Sequence, residues 1–208
     1  MLHTETVEPR TLSLLRELMV LPSLQPFSLV GGTALSLRYG HRCSVDLDLF
    51  HHEAFNAPHI IESLETTFQN RLVYKSPHSR VGIFCFIDGI KVDIVHFPHI
   101  PIEEVETKDE IRMYSNADIA AMKIQAILGR AQKKDFWDLY ELLQQFSLQQ
   151  LIDWHKRKFP NQMLAIGIPQ AITYFAEADE SEPPVSFKGQ TWDSVKKGIS
   201  RAVSDYLR

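Results

Sequence analysis

Val45-Asp46-Leu47-Asp48-Leu49-Phe50, with twelve residues separating Asp46 from an upstream Gly31-Gly32-Thr33, is the stretch on which the fold turns. Apolar and acidic residues alternate, the period of a half-buried β-strand. On that reading Val45, Leu47 and Leu49 bury one face, while Asp46 and Asp48 share the other. Residues two apart on a strand lie roughly 6.5–7 Å from each other, so both carboxylates can reach one divalent cation. A bare pair of this kind is most often just a solvated acidic face, so the pair alone decides nothing.

Its surroundings change the reading. Phe27–Val30 is a short apolar run expected to be a strand, and 33–39 a short helix closed by Gly40. Gly31-Gly32 between them lets backbone N–H groups come close to a phosphate, at a helix N-terminus that favours negative charge. The Thr33 hydroxyl is positioned to add one hydrogen bond. Downstream, the runs 81–87 and 90–96 flank Asp88-Gly89, the dipeptide of a tight type I′ hairpin. The second run holds Lys91-Val92-Asp93-Ile94-Val95. An aspartate inside an apolar strand is costly unless a cation or hydrogen bonds compensate it. Three carboxylates, Asp46, Asp48 and Asp93, on neighbouring strands suggest a two-metal site for phosphoryl chemistry.

Around this core the sequence predicts helices over 9–20 and 58–70 and a weak strand over 71–75. An acidic connector follows over 98–110. From there the chain turns helical, which places a boundary near residue 112 and divides it into 1–112 and 113–208. Ser115 and Asp118 suit a capping box for a helix running to about Gln132. Further helices are expected over 134–145, 148–158, up to Phe175, and over 191–207, with an exposed acidic loop over 179–184.

The helix Ile119–Gly129 is apolar almost all round, and Lys123 is its one charge. A lysine there should face a cleft, a carboxylate or a phosphate, or else run along the helix edge to solvent. Arg130 lies seven residues on, on the same face. Asp135 and Asp138 open the next helix, where carboxylates often simply complement the helix dipole. His51 and His52 fit a loop, Cys43 has no paired base, and 156–158 and 196–197 read as solvated basic helix faces.

Composition sets bounds. The 208 residues are 44% hydrophobic and 23% charged, enough for a packed core without covalent staples. Two cysteines, neither in a CxxC pair, indicate neither a zinc ribbon nor a disulfide framework. The net charge of −4 argues against coating nucleic acid by charge alone. Residues 1–110 hold 9 basic against 15 acidic side chains, leaving 13 against 11 for the rest. Such a split suits cations in one half and phosphates in the other, though it is also common by chance. Neither a secretory leader nor a membrane span is expected, and the cytoplasm is the expected setting.

Gly31-Gly32-Thr33, Asp46-Leu47-Asp48-Leu49 and Val92-Asp93-Ile94 together resemble the signature of the polymerase-beta-like nucleotidyltransferases. Asp118-Ile119-Ala120-Ala121-Met122-Lys123, Arg130, and Lys134-Asp135-Phe136-Trp137-Asp138-Leu139-Tyr140 narrow this to the AbiEii/AbiGii-type nucleotidyltransferase toxins. The resemblance covers roughly residues 27–145. It implies an α/β (α+β) fold with a mixed sheet in a nucleotidyltransferase core, followed by a helical C-terminal region. It implies transfer of a nucleoside monophosphate from an NTP to a hydroxyl acceptor, tRNA among the candidates, in a type IV toxin–antitoxin or abortive-infection system with a cognate antitoxin. Asp46, Asp48 and Asp93 would bind Mg²⁺ or Mn²⁺, and Asp93 would help activate the nucleophile. Gly31, Gly32 and Thr33 would hold the triphosphate, Lys123 and Arg130 would neutralise it, and Asp135 would serve as the later acidic residue. The alternatives are a non-catalytic nucleotide- or partner-binding module of the same fold, or a small-molecule nucleotidyltransferase of the antibiotic-modifying kind.

Overall fold

The computed structural model describes residues 1–76 and 81–208. Its centre is a seven-stranded mixed sheet ordered β3-β4-β5-β2-β1-β7-β6. The strands are β1 (Ser28–Val30), β2 (Leu47–His51), β3 (Leu72–Ser76), β4 (Gly82–Ile87), β5 (Ile90–His96), β6 (Glu106–Lys108) and β7 (Ile111–Met113). The parallel pairs are β2 with β5 and β1 with β7; the others are antiparallel. The β4–β5 hairpin turns at Asp88 and Gly89, both at positive φ (53° and 78°), as a type I′ turn requires.

Helix α1 (Pro9–Val20) starts on proline, and α2 (Gly31–Tyr39) ends on Gly40 in the left-handed conformation. Helix α3 (Ala57–Phe68) buries Ile60, Leu64 and Phe68 along one face. Then come α4 (Asn116–Arg130), α5 (Lys133–Leu143), α6 (Leu148–Lys158), the short α7 (Ile168–Ala171) and α8 (Ala176–Asp179), and α9 (Trp192–Tyr206). Helix α4 packs against α5 and α6, and α2 against both α4 and α5. One hydrophobic cluster takes in Leu47, Leu49, Val92 and Ile94 from the sheet and Ile119, Phe136 and Trp137 from the helices. Among the described residues no helix is long and apolar enough to cross a membrane.

Five expectations need correction. His51, expected in a loop, is the last residue of β2 and pairs with His96 of β5. The strand expected from Val45 begins at Leu47, and Val45 is 56% exposed, so Asp46 precedes the strand. The acidic connector contains the β6–β7 hairpin, whose turn residues Asp109 and Glu110 both take positive φ without glycine. A turn of that kind carries no dipeptide signal. The helix expected up to Phe175 is reduced to the four residues of α7, and α8 starts just beyond it. Finally, Lys158 is not solvated: it is 3% exposed and bonded to Asp118, whose carboxylate accepts from Ser115 Oγ rather than closing a capping box.

Candidate active site

The parallel register of β2 and β5 sets Asp48 directly beside Asp93. Their neighbours Leu47, Leu49, Val92 and Ile94 are at most 1% exposed and fix the opposite face of the sheet in the core. Paired residues on adjacent strands present their side chains to the same side. Val30 pairs with Asp48 and Phe84 with Asp93, giving a row across four strands: Val30, Asp48, Asp93, Phe84. All four line one cleft of about 680 Å³.

The glycine pair makes room for this row. Gly31 sits at φ +72°, and a Cβ there would lie 2.9 Å from Asp48 Oδ2. A Cβ on Gly32 would meet Arg42 Nη2 at 2.1 Å. Thr33 is 1% exposed, and its hydroxyl donates to the Asp46 carbonyl and pairs with Ser44 Oγ at 2.9 Å. In this arrangement Thr33 fixes the approach to β2, and it lines neither neighbouring cavity. Asp46, although outside the strand, lines the same cleft as Asp48 and Asp93.

The carboxylates suit a hard divalent cation. All the donors are oxygens, as magnesium and manganese prefer. Asp93 Oδ1 is buried without a hydrogen-bond partner. Burial raises the Asp48 pKa; Lys91 opposes the rise, while Asp93 and Asp46 add to it. Ammonium groups currently attend two of the three acids: Lys91 Nζ is 2.5 Å from Asp93 Oδ2, and Lys134 Nζ is 3.6 Å from Asp46 Oδ2. Among the described residues no three acidic, histidine or cysteine side chains are gathered around a common point. The set is therefore compatible with a cation without being a closed cage.

Beside the carboxylates lies a buried charge network. Lys123 is 6% exposed, with Nζ 3.0 Å from Asp135 Oδ1 and 2.6 Å from Asp138 Oδ2. It does not run to solvent. Asp138 also accepts from His41 Nε2 (2.7 Å), Arg42 Nε (2.7 Å) and Arg42 Nη2 (2.8 Å). Asp135 accepts from Arg130 Nε at 3.2 Å. Burial works to raise the Asp138 pKa, but Arg42 and Lys123 outweigh it and hold it well below the usual carboxylate range. Burial likewise works to lower Lys123, and Asp138 and then Asp135 hold it above its ordinary value. Arg42, Lys123 and Arg130 outnumber Asp135 and Asp138 by one, so the network keeps a positive charge.

A second cavity of about 200 Å³ opens beside this network, with Arg42, Lys123, Arg130 and Lys134 against Asp46, Asp48 and Glu182 on its wall, one more cation than carboxylates. Asp46, Asp48, Lys123, Arg130 and Lys134 border both cavities, so the acids stand between a basic pocket and a larger cleft. Asp135 is fully buried and lines neither; its carboxylate accepts from Lys123 and Arg130. Reading the sequence missed Lys134, Arg42, Lys91 and the central place of Asp138. Only Lys91, two residues before Asp93 on a strand and so on its face, had a local signal.

The chain resembles known proteins in both sequence and fold. A family described as "Nucleotidyl transferase AbiEii toxin, Type IV TA system" matches residues 13–77 and 84–202. An uncharacterized protein of Aquifex aeolicus (strain VF5), aq_aa25, is 32% identical over 192 residues, spanning 87% of this chain and 88% of the relative. Among solved structures, JHP933 from Helicobacter pylori superposes with a TM-score of 0.59 at 18% identity, covering 95% of this chain and 92% of that one. The nucleotidyltransferase toxin MenT4, Rv2826c, from Mycobacterium tuberculosis H37Rv superposes with a TM-score of 0.57 at 14% identity, covering 93% and 84%. At these identities the two structures speak for the fold, and the sequence match across nearly the whole chain decides the family: the protein belongs to the AbiEii nucleotidyl transferase toxin family.

Proposed function

We propose that the protein transfers a nucleoside monophosphate from an NTP to a hydroxyl acceptor and acts as the toxin of a toxin–antitoxin pair. The observation that carries this reading is the position of Asp46 and Asp48 on the border between a basic pocket and a larger cleft. A triphosphate suits the first and a nucleoside with its acceptor the second. Asp46, Asp48 and Asp93 would hold Mg²⁺ or Mn²⁺, which when bound supplies Lewis-acid charge neutralisation at the phosphates.

The chain's own groups do the rest. Gly31 and Gly32 let the start of α2 approach the phosphates, where the helix dipole favours anions. Arg130 and Lys134, both partly exposed, neutralise the β- and γ-phosphates; Lys123, fixed by two carboxylates, contributes charge without moving. The unpartnered Asp93 Oδ1 accepts the proton of the attacking hydroxyl. A bond forms from the acceptor oxygen to the α-phosphorus, the α–β bridging bond breaks, and pyrophosphate leaves towards the basic pocket. The family's type IV label supports a cognate antitoxin. Of the hydroxyl acceptors, tRNA is the one to try first.

The test is incubation of purified protein with α-labelled NTPs and total bacterial tRNA, with and without Mg²⁺. Magnesium-dependent transfer of label to RNA is expected. Absence of transfer with every NTP, with either metal and with RNA or small hydroxyl acceptors, would defeat the proposal.

A further inference from the structure

The large cleft has a charged end and an apolar end. Asp46, Asp48, Lys123, Arg130 and Lys134 line it together with the basic pocket, whereas Phe50, Val95, Phe97 and Gln125 line it and not that pocket. Strand geometry orders the two ends. Phe50 and Val95 pair in register two residues beyond Asp48 and Asp93, on the same face of the sheet. Phe97, whose N–H donates to the His51 carbonyl at 2.8 Å, extends this ladder. It follows Asp93 by four residues, roughly 13 Å along β5. That span is on the scale of a nucleotide laid out from its α-phosphorus to the far edge of its base. Met122, Gln125, Ala126 and Gly129 recur at helical spacing and give one face of α4 to the same cleft. Phe50, Val95, Met122 and Ala126 are half-buried, apolar walls that suit the faces of a base.

Two uncharged side chains on this wall can read a base by hydrogen bonds, Gln125 and Gln132. Gln132 is the N-cap of α5, between Arg130 and Lys134, at the charged end. Gln125 belongs to the other end. Its Oε1 lies 3.0 Å from His155 Nε2, the His155 ring meets Phe159 at 5.0 Å between centroids, and Phe159 meets Phe97 at 6.2 Å. His155 is 2% exposed and does not line the cleft. Burial lowers its pKa to about 4, so the neutral ring carries one N–H, and that N–H donates to the amide oxygen. With its oxygen engaged, the amide offers a ligand its nitrogen, which has no partner among the described residues.

We infer that Gln125 selects the base of the incoming NTP by donating its amide N–H to the exocyclic group farthest from the sugar, and that the protein prefers the keto bases uracil and guanine to the amino bases cytosine and adenine. At that position uracil and guanine carry a carbonyl oxygen, which accepts. Cytosine and adenine carry an NH₂ group there, which sets donor against donor. A mismatched base leaves both groups unpaired, a stronger ground for rejection than a difference in size. His155 is a positioning residue: it keeps the amide from turning its oxygen towards the base. This inference rests on the nucleotidyltransferase reading.

The test is isothermal titration calorimetry of the full chain with UTP, CTP, GTP and ATP, each with Mg²⁺ and without an acceptor. The wild type should bind UTP about tenfold more tightly than CTP, and GTP about tenfold more tightly than ATP. Gln125→Leu should bring both ratios close to one. Gln125→Glu, which offers acceptors at the same reach, should reverse them. His155→Phe lies behind the wall and frees the amide to turn, so it should narrow both ratios, whereas a merely structural loss would weaken all four nucleotides alike. Equal affinities within each pair, or a preference for CTP and ATP, would overturn the inference, as would a preference that persists in Gln125→Leu. If none of the four nucleotides binds, the nucleotidyltransferase reading falls and takes the inference with it; binding of all four alike overturns the inference alone.

Discussion

Lys134 and Lys123 both meet acids at this site, and their settings predict different behaviour. Lys134 is partly exposed and, among the described residues, pairs only with Asp46, at 3.6 Å, so little of the fold depends on it. Lys134→Ala should lower kcat/KM for the NTP by about tenfold, on the order of 1.4 kcal/mol, with the melting temperature unchanged. Lys123 is bound by two buried carboxylates, so Lys123→Ala should lower both activity and stability. Asp138 makes the contrast sharpest. Asp138→Asn leaves Arg42 and Lys123 buried without their shared counter-charge, and denaturant unfolding should show a loss of about 3–5 kcal/mol. Wild-type stability in that variant would mean that the network does not hold the helices to the β2 approach.

At the scale of elements, His155 on α6 offers a pH test. It is 2% exposed, with Nε2 3.0 Å from Gln125 Oε1, and burial lowers its pKa to about 4 from 6.5. The native state therefore binds fewer protons than the unfolded chain between these values, so stability rises with pH across that window. The contribution is complete above 6.5 and is lost as the pH falls towards 4, on the order of 3 kcal/mol in all. The difference in unfolding free energy between wild type and His155→Gln, followed from pH 7 to 4, should shrink by that order; a constant difference would show that His155 is not buried neutral. Elements with a local signature could be read from sequence: the Asp88-Gly89 hairpin, the proline start of α1, and the apolar period of α4. The β6–β7 hairpin could not, because strands of three residues joined by Asp109-Glu110 carry neither alternation nor glycine.

The same division holds for the whole molecule and its site. Asp48 and Asp93 were legible because strand alternation and the hairpin set their register. The place of Asp46 was not legible, since it precedes β2 and Thr33 rather than strand geometry holds it at the cleft. Arg42 and Asp138, 96 residues apart, meet only through the tertiary packing of α5 on α2, and Lys158 meets Asp118 across 40 residues. No local pattern encodes such pairs. At this scale the toxin reading makes its own prediction. Expression of the wild type without antitoxin should slow bacterial growth, and Asp48→Asn should grow as the empty-vector control does; equal slowing by both would separate toxicity from catalysis.

The central claim is that Asp48 and Asp93 form the reacting face of the sheet. It is tested most directly by the rate of label transfer from α-labelled NTP in Asp48→Asn and Asp93→Asn, each checked for folding by its melting temperature. Both variants should fold, since each relieves repulsion between adjacent carboxylates. Both should lose transfer by a thousandfold or more, on the order of 4 kcal/mol in the barrier. Transfer at the wild-type rate by either folded variant would contradict the account.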